Sequence, residues 1–284
     1  MVNIDKKGEV FRIIKSILKK SIINIKFIIN SFLKKHRCTL CSSSRKLSLV
    51  FKGWPRYYLK CNGCNLIFVG NLPTNRSYRL LIQKEQSLSG YEARHKINWQ
   101  DWQNWKIETY RSLGFFTFEE TLRKTEKKLL EIGCTEGKQL EIFKRRGWDT
   151  LGIEPNKYFA HKCKILGLEV INGYFEDLMF PTQSFGLVIT THTLEHLKDP
   201  CIAVKKIFQV LKDNGRVILE VPLTIDYNHP EHLFFFSIKS LTKLLEDNYF
   251  HIIKTFRYQD KIFNHDNYAI IAEKSLESID RIKR

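Results

Sequence analysis

Four cysteines and seven residues of one turn are the parts of this sequence whose types and spacing can do chemistry. Cys38-x-x-Cys41 and Cys61-x-x-Cys64 are separated by 19 residues. That spacing offers four thiolates to one tetrahedral ion with no open position, so a structural Zn²⁺ is expected at Cys38, Cys41, Cys61 and Cys64. The second group is Glu131-Ile-Gly-Cys-Thr-Glu-Gly137, which follows the apolar residues Leu129 and Leu130. An apolar strand that runs into a glycine-punctuated turn brings backbone close to a ligand, and Gly133 and Gly137 permit the sharp turn. Glu154 stands 21 residues past Gly133, at the end of the next expected strand, where an acidic side chain can accept hydrogen bonds from both hydroxyls of a ribose.

A dinucleotide site would carry G-x-G-x-x-G and present a helix N-terminus to a pyrophosphate. That pattern is missing, and Glu131 precedes the turn, which suits a ligand with a cationic amino acid portion. The segment resembles the first motif, (D/E)-x-G-x-G-x-G, of the class I S-adenosylmethionine-dependent methyltransferases, with Thr135 in place of the middle glycine. The resemblance continues, in order, through Phe175 to Leu178, Ser184 to Val188, Leu194 to Pro200 and Asn214 to Val217, with Gly186 where relatives often have Asp. It implies S-adenosylmethionine as cofactor, held by Glu131, Gly133, Thr135, Gly137, Glu154 and Thr191, with Glu176 or Asp177 beside the adenine.

Methyl transfer needs alignment of nucleophile, methyl and sulfur, and in places the removal of a proton. The loop after the fourth strand offers Thr191, His192, Glu195 and His196; the loop after the fifth offers Asp226, Tyr227, His229, Glu231 and His232. Tyr227 to Ser237 is similar to a segment of sugar methyltransferases, including C-methyltransferases of deoxysugar pathways. That likeness implies His232 as general base with Glu231 orienting it; support of the following helix is the alternative for His232. His192 is a further catalytic candidate from its place in the loop after the fourth strand. Glu195-His196 resembles the end of the E-x-x-E-H segment that can hold a divalent ion in ubiquinone-pathway O-methyltransferases. His192 replaces its first Glu, a poor exchange for a hard cation, so His196 is expected to be structural.

These residues must be positioned by five regions. Residues 1–36 form a basic arm, 37–72 a zinc-ribbon-like module, 73–124 a helical connector, 125–275 the methyltransferase domain and 276–284 a polar tail. From residue 128 onward short apolar runs alternate with amphipathic stretches, which predicts a Rossmann-like α/β fold with a seven-stranded sheet. Helices are expected over 139–146, 157–166, 201–211 and 238–248, the third stopped by Asp213-Asn-Gly215, and the aromatic residues of the connector are taken mostly as packing. In the arm, Phe11, Ile14, Leu18, Ile22, Ile25, Ile29 and Phe32 recur at helical spacing. Lysines and Arg12 lie mostly off that stripe. A helix over 10–35 is therefore expected to lie on an anionic membrane face, or else to pack on protein.

The 284 residues carry 43% hydrophobic and 27% charged side chains, ordinary for a folded domain rather than a disordered chain or a multi-span membrane protein. Of the net charge of +17, +8 falls within residues 1–37, where ten Lys or Arg face Asp5 and Glu9. Seven cysteines, an odd number, point to a reducing, cytoplasmic setting, peripheral at the inner membrane face if the arm binds lipid. A zinc module followed by this kind of domain resembles a bacterial group associated with surface-polysaccharide and modified-sugar biosynthesis. The likeness implies a sugar, nucleotide-sugar or lipid-linked saccharide acceptor. The rivals are an rRNA or tRNA methyltransferase gripping phosphate through the basic surface, and a non-catalytic scaffold of the same fold. Thr190 to Thr193 lacks the (N/D)-P-P-(Y/F) motif of enzymes that methylate exocyclic base nitrogens.

Overall fold

The computed structural model describes residues 36–43, 47–52, 56–85, 98–229, 231–259 and 266–275. The helix expected over 10–35 and the polar tail lie outside them. Among the described residues no helix is long and apolar enough to cross a membrane.

Three short strands come first, β1 (Leu47–Lys52), β2 (Tyr57–Cys61) and β3 (Ile67–Val69), paired antiparallel in that order. Helices α1 (Asn75–Glu85), α2 (Trp99–Ser112) and α3 (Phe115–Thr121) follow. The main body then alternates β4 (Lys128–Ile132), α4 (Lys138–Arg145), β5 (Asp149–Glu154), α5 (Lys157–Ile165), β6 (Val170–Asn172), β7 (Phe185–Thr191), α6 (Pro200–Val210) and β8 (Leu211–Pro222). The two-residue strand β9 (Phe234–Phe235), α7 (Ile238–Glu246), β10 (Phe250–Gln259) and β11 (Asp266–Lys274) close it.

Seven strands form a mixed sheet in the order β10-β11-β8-β7-β4-β5-β6, the expected α/β methyltransferase sheet. β4, β5, β6, β7 and β8 run parallel, and β10 and β11 close one edge as an antiparallel hairpin. The central strands are apolar on both faces because helices cover both: β7 is buried at six of its seven residues. The strand order reverses beside β4. The carboxyl ends of β4 and β7 therefore open a crevice, the usual ligand position in such sheets.

Local chemistry sets the helix starts. The Asn156 side chain accepts from the Tyr158 amide at the start of α5, Asp199 caps α6 ahead of Pro200, and Ser237 caps α7. The helix expected to reach Leu211 ends at Val210, and Leu211 is instead the first residue of β8, paired with Phe185. The expected stop at 213–215 lies within that strand, at a register shift where Asn214 has φ +61°. Burial of the Leu211 side chain at 0% exposure outweighs the turn preference of Asp-Asn-Gly.

On one face of the sheet α2 to α5 share a core of Tyr110, Phe115, Phe143 and Trp148. On the other, the core under α6 and α7 is continuous with the small N-terminal sheet, joining Leu59 and Phe68 to Val188, Val204 and Leu244. β9 completes that small sheet, so the order is β1-β2-β3-β9.

Candidate active site

The crevice is a cavity of about 540 Å³. One end is built from the loops after β4, β5 and β6, the other from the loops after β7 and β8.

At the first end Glu131 closes β4, 2% exposed. Gln139 Nε2 donates to its Oε1 at 2.6 Å, while Oε2 is buried without a hydrogen-bond partner. Burial pushes its carboxyl well above the ordinary range, against the pull of Gln139. An unpaired buried carboxylate oxygen is costly, and a cationic ligand would supply what it lacks. Gln139 also accepts the Tyr110 hydroxyl and lies 3.4 Å from Thr191 Oγ1, so it ties α4 to β7 and α2. Sequence reasoning missed Gln139; its place in the first turn after the glycine loop is the one signal.

Gly133 and Gly137 both have φ +76°, and a Cβ on Gly133 would meet Thr193 Oγ1 at 2.3 Å. Thr135 has φ +45°, unusual for a β-branched residue. Its backbone is held on both sides, since the amide donates to Glu154 Oε2 at 2.9 Å and the carbonyl accepts from Cys163 Sγ at 3.1 Å. The loop keeps its left-handed turn through those two bonds although the middle glycine is gone. Glu154 Oε1 accepts from the Asn156 amide at 2.7 Å. Burial raises the Glu154 carboxyl to about 7 despite these two donors.

Glu176 lines the cavity with both carboxylate oxygens buried and unpartnered. Asp177 does not line it: its side chain is 53% exposed and pairs with Arg79 at 2.5 Å. Of the two acids named for the adenine side, Glu176 is the one that faces the cavity, since the short 3-10 turn over Phe175–Asp177 points successive side chains in different directions.

At the second end His192 has φ +47° and its amide donates to the Glu220 carbonyl at 3.0 Å. Its Nε2 lies 3.2 Å from Glu220 Oε1 and its Nδ1 3.8 Å from Glu195 Oε1. Burial would lower the imidazole pKa, but the carboxylates win and raise it. The two carboxylates therefore favour the charged form of this imidazole. Glu220 is held down to about 2: burial alone would raise it, and Lys106 and His192 overcome that. Lys106, on α2, reaches both Glu220 oxygens. Trp102 of the same helix lines the cavity, so the connector supplies part of the site.

His229, Glu231 and His232 line the same end. His229 Nδ1 donates to Glu231 Oε1 at 3.0 Å, so this carboxylate orients His229 rather than His232 as the sequence implied. The His232 ring stacks on His229, centroids 5.1 Å apart and planes 25° apart, and meets His196 edge-on at 4.8 Å. His196 Nδ1 donates to the Glu231 carbonyl at 3.1 Å, and the Glu195 carbonyl accepts the Leu233 and Phe234 amides. The two loops are therefore locked together. Glu195, His196 and His232 place ligand atoms within 4.8 Å of one another, a cluster the sequence alone did not assemble.

The four cysteines also converge, with Cys38 and Cys64 Sγ at 3.6 Å and Cys41 and Cys61 Sγ at 3.5 Å. A tetrahedral ion with bonds of about 2.3 Å puts sulfurs roughly 3.8 Å apart, so the spacing fits zinc. The Cys38 thiol beside it holds Cys64 down to about 5. Cys134, Cys163 and Cys201 lie outside this cluster, and burial raises Cys201 to about 11.

A family model described as a methyltransferase domain matches residues 103–255, just over half of the chain. The putative methyltransferase YrhH of Bacillus subtilis is 28% identical over 138 residues, 46% of this chain and 72% of the relative. The mitochondrial ubiquinone biosynthesis O-methyltransferase of Schizosaccharomyces pombe is 30% identical over 156 residues, 48% of this chain and 57% of that protein. Among solved structures, Burkholderia thailandensis 1,6-didemethyltoxoflavin-N1-methyltransferase, with 1,6-didemethyltoxoflavin and S-adenosylhomocysteine bound, superposes with TM-score 0.56. It is 13% identical and covers 80% of this chain and 99% of its own, a likeness of fold.

Proposed function

This chain belongs to the methyltransferase-domain family and is an S-adenosylmethionine-dependent methyltransferase, and from that premise we propose that its acceptor is a sugar, nucleotide sugar or lipid-linked saccharide. The observation that carries the choice is the lining of the second end of the cavity, where His192, His196, His229 and His232 stand with Glu195 and Glu231. Imidazoles and carboxylates at a cavity wall suit a ligand dense in hydroxyl groups, which need donors and acceptors in many directions.

When bound, the cofactor supplies an electrophilic methyl on a sulfonium. Glu131 and Glu176 have the unpaired oxygens to hold a cationic amino acid portion and an adenine edge, Glu154 the carboxylate for ribose hydroxyls, and Gly133, Thr135 and Gly137 the close-approaching backbone. Cys38, Cys41, Cys61 and Cys64 hold a structural Zn²⁺ in this proposal. His232 takes the proton from the acceptor, and Glu231 acts on it through the stacked ring of His229. A general base of this kind contributes typically about 10²- to 10⁴-fold. His192, held by Glu220 and Glu195, stands where it can hydrogen-bond an acceptor oxygen. The basic residues of the 10–35 segment would hold the enzyme at an anionic membrane where lipid-linked saccharides are processed.

Mass spectrometry of glycans and nucleotide sugars from cells with and without the gene tests the acceptor class. A sugar lacking one CH₂ increment in the mutant supports it; an unchanged sugar pool together with under-methylated RNA would overturn it. Sedimentation of the chain with and without residues 1–36 on anionic liposomes tests the membrane role, and equal pelleting would remove it.

A further inference from the structure

The loop that carries His229, Glu231 and His232 is held from two directions. On the sheet side, the Glu195 carbonyl accepts the Leu233 and Phe234 amides at 2.9 and 3.1 Å. On the other side stands the cysteine module. β3 pairs antiparallel with β9, setting Ile67 opposite Phe235 and Phe68 opposite Phe234, and the Val69 amide donates to the Leu233 carbonyl at 2.9 Å. The hydroxyl of Tyr58, a residue 1% exposed, donates to the His232 carbonyl at 2.9 Å. Tyr227 at the start of the loop stacks on Phe51 of β1, centroids 4.5 Å apart and planes 10° apart, and Tyr58 packs on both Tyr227 and Phe235.

β9 has only two residues and cannot hold its own geometry; it is a strand because β3 offers it an edge. β3 is itself only three residues long. Its partner β2 ends at Cys61, and the turn between them contains Cys64, closed by the Asn65 amide on the Cys61 carbonyl and the Cys61 amide on the Leu66 carbonyl. Two of the four cysteines thus sit in the hairpin turn whose strands carry Tyr58 and the edge for β9. A sheet this small has too little core to fix its own shape, whereas four thiolates on one ion fix it directly.

We infer that the cysteine module is a positioning device for the histidine loop, with Tyr58 as the positioning residue that fixes the backbone of His232. An ion held by the four cysteines, none of which lines the cavity, would then set the placement of the acceptor-side imidazoles and leave the cofactor end untouched. The inference rests on the reading of this loop as the acceptor side of a methyltransferase.

The test uses the full chain with ¹⁵N-labelled histidine, comparing ring signals in the zinc-loaded protein, after chelation, after zinc is returned, and in Tyr58→Phe. S-adenosylhomocysteine affinity is measured by calorimetry on each sample. Chelation is expected to shift or broaden the His196, His229 and His232 signals, and zinc to restore them. Affinity should change by less than about twofold, below the roughly fivefold at which two sites count as coupled. Tyr58→Phe keeps the ring but removes the hydroxyl, and should move the His232 signals at unchanged zinc content. Should Tyr58→Phe fail to fold, Phe51→Leu, which loosens the half-buried stack on Tyr227, takes its place. Histidine signals that stay in place after chelation and in the variant overturn the inference, as does cofactor affinity lost in step with them. If the untreated chain fails to bind S-adenosylhomocysteine, the cofactor reading falls while the histidine signals still decide this one.

Discussion

Lys106 Nζ lies 2.6 Å from both carboxylate oxygens of Glu220, and each of these side chains is 1% exposed. Lysine comes from a helix outside the sheet and glutamate from the strand that bounds the cavity. The pair thereby fixes α2 against β8 and holds a negative charge beside His192.

Breaking the pair should be costly. Lys106→Met strands a buried carboxylate, and the expected loss is about 3 to 5 kcal/mol in chemical denaturation. The double variant Lys106→Met with Glu220→Leu should regain most of that stability without regaining activity. A single variant as stable as the double one would refute the ion-pair account.

The pair also has a pH signature. Glu220 is depressed to about 2 in the folded protein, below the ordinary glutamate value of about 4.3, so its contribution is complete above that value and is lost as pH falls toward 2. His192 is raised, which gives the opposite sign: its contribution is complete below its ordinary value of about 6.5 and is lost as pH rises through the higher folded value. NMR titration should find the His192 ring titrating above the ordinary imidazole value, and Glu220→Gln should lower its pKa.

Cofactor affinity should depend on pH through Glu154. Its carboxyl is raised to about 7, and ribose hydroxyls donate best to the ionised form. Affinity for S-adenosylhomocysteine is expected to rise with pH and level off above that value, with proton release on binding at lower pH. Calorimetry in buffers of different ionisation enthalpy measures this. Glu154→Gln should bind more weakly and without the pH dependence.

The surroundings of Gly186 leave no room for a side chain. A Cβ there would sit 2.1 Å from the Glu126 carbonyl oxygen, a backbone atom that cannot swing aside. Gly186→Ala should lower stability by about 1 to 3 kcal/mol in thermal unfolding. A neutral result would mean that the 3-10 turn over Lys124–Glu126 is free to move.

Zinc content provides a further check. Elemental analysis of the purified chain should find one zinc per molecule, and Cys61→Ser or Cys64→Ser should lose it. Cys201→Ser should retain it, since that thiol lies outside the cluster.

Much of this was legible in the sequence because it depends on local pattern. Apolar runs that alternate with amphipathic stretches fixed the order of β4 to β8 and their helices, and the turn chemistry at Gly133 and Gly137 marked the cofactor end. What the sequence hid depends on contacts between distant segments. Glu220 and Lys106 are 114 positions apart and each reads as an ordinary charged residue. The Glu231 to His229 bond was not foreseen, because the likeness to sugar methyltransferases implied Glu231 as partner of the adjacent His232. β9 was unreadable, since two phenylalanines become a strand only against partners 166 and 168 residues earlier. Thr135 looked like a defect in its motif until the Glu154 carboxylate was found holding its amide.

The hydrogen bonds between β3 and β9 also limit how this enzyme can be recombined. A chimera that exchanges residues 36–72 for the equivalent module of a relative would bring an edge strand and a tyrosine shaped for another loop. Residues 227–236 would have to travel with it. The two stretches are far apart in sequence but form one transplantable unit, and engineering of acceptor preference should treat them as such.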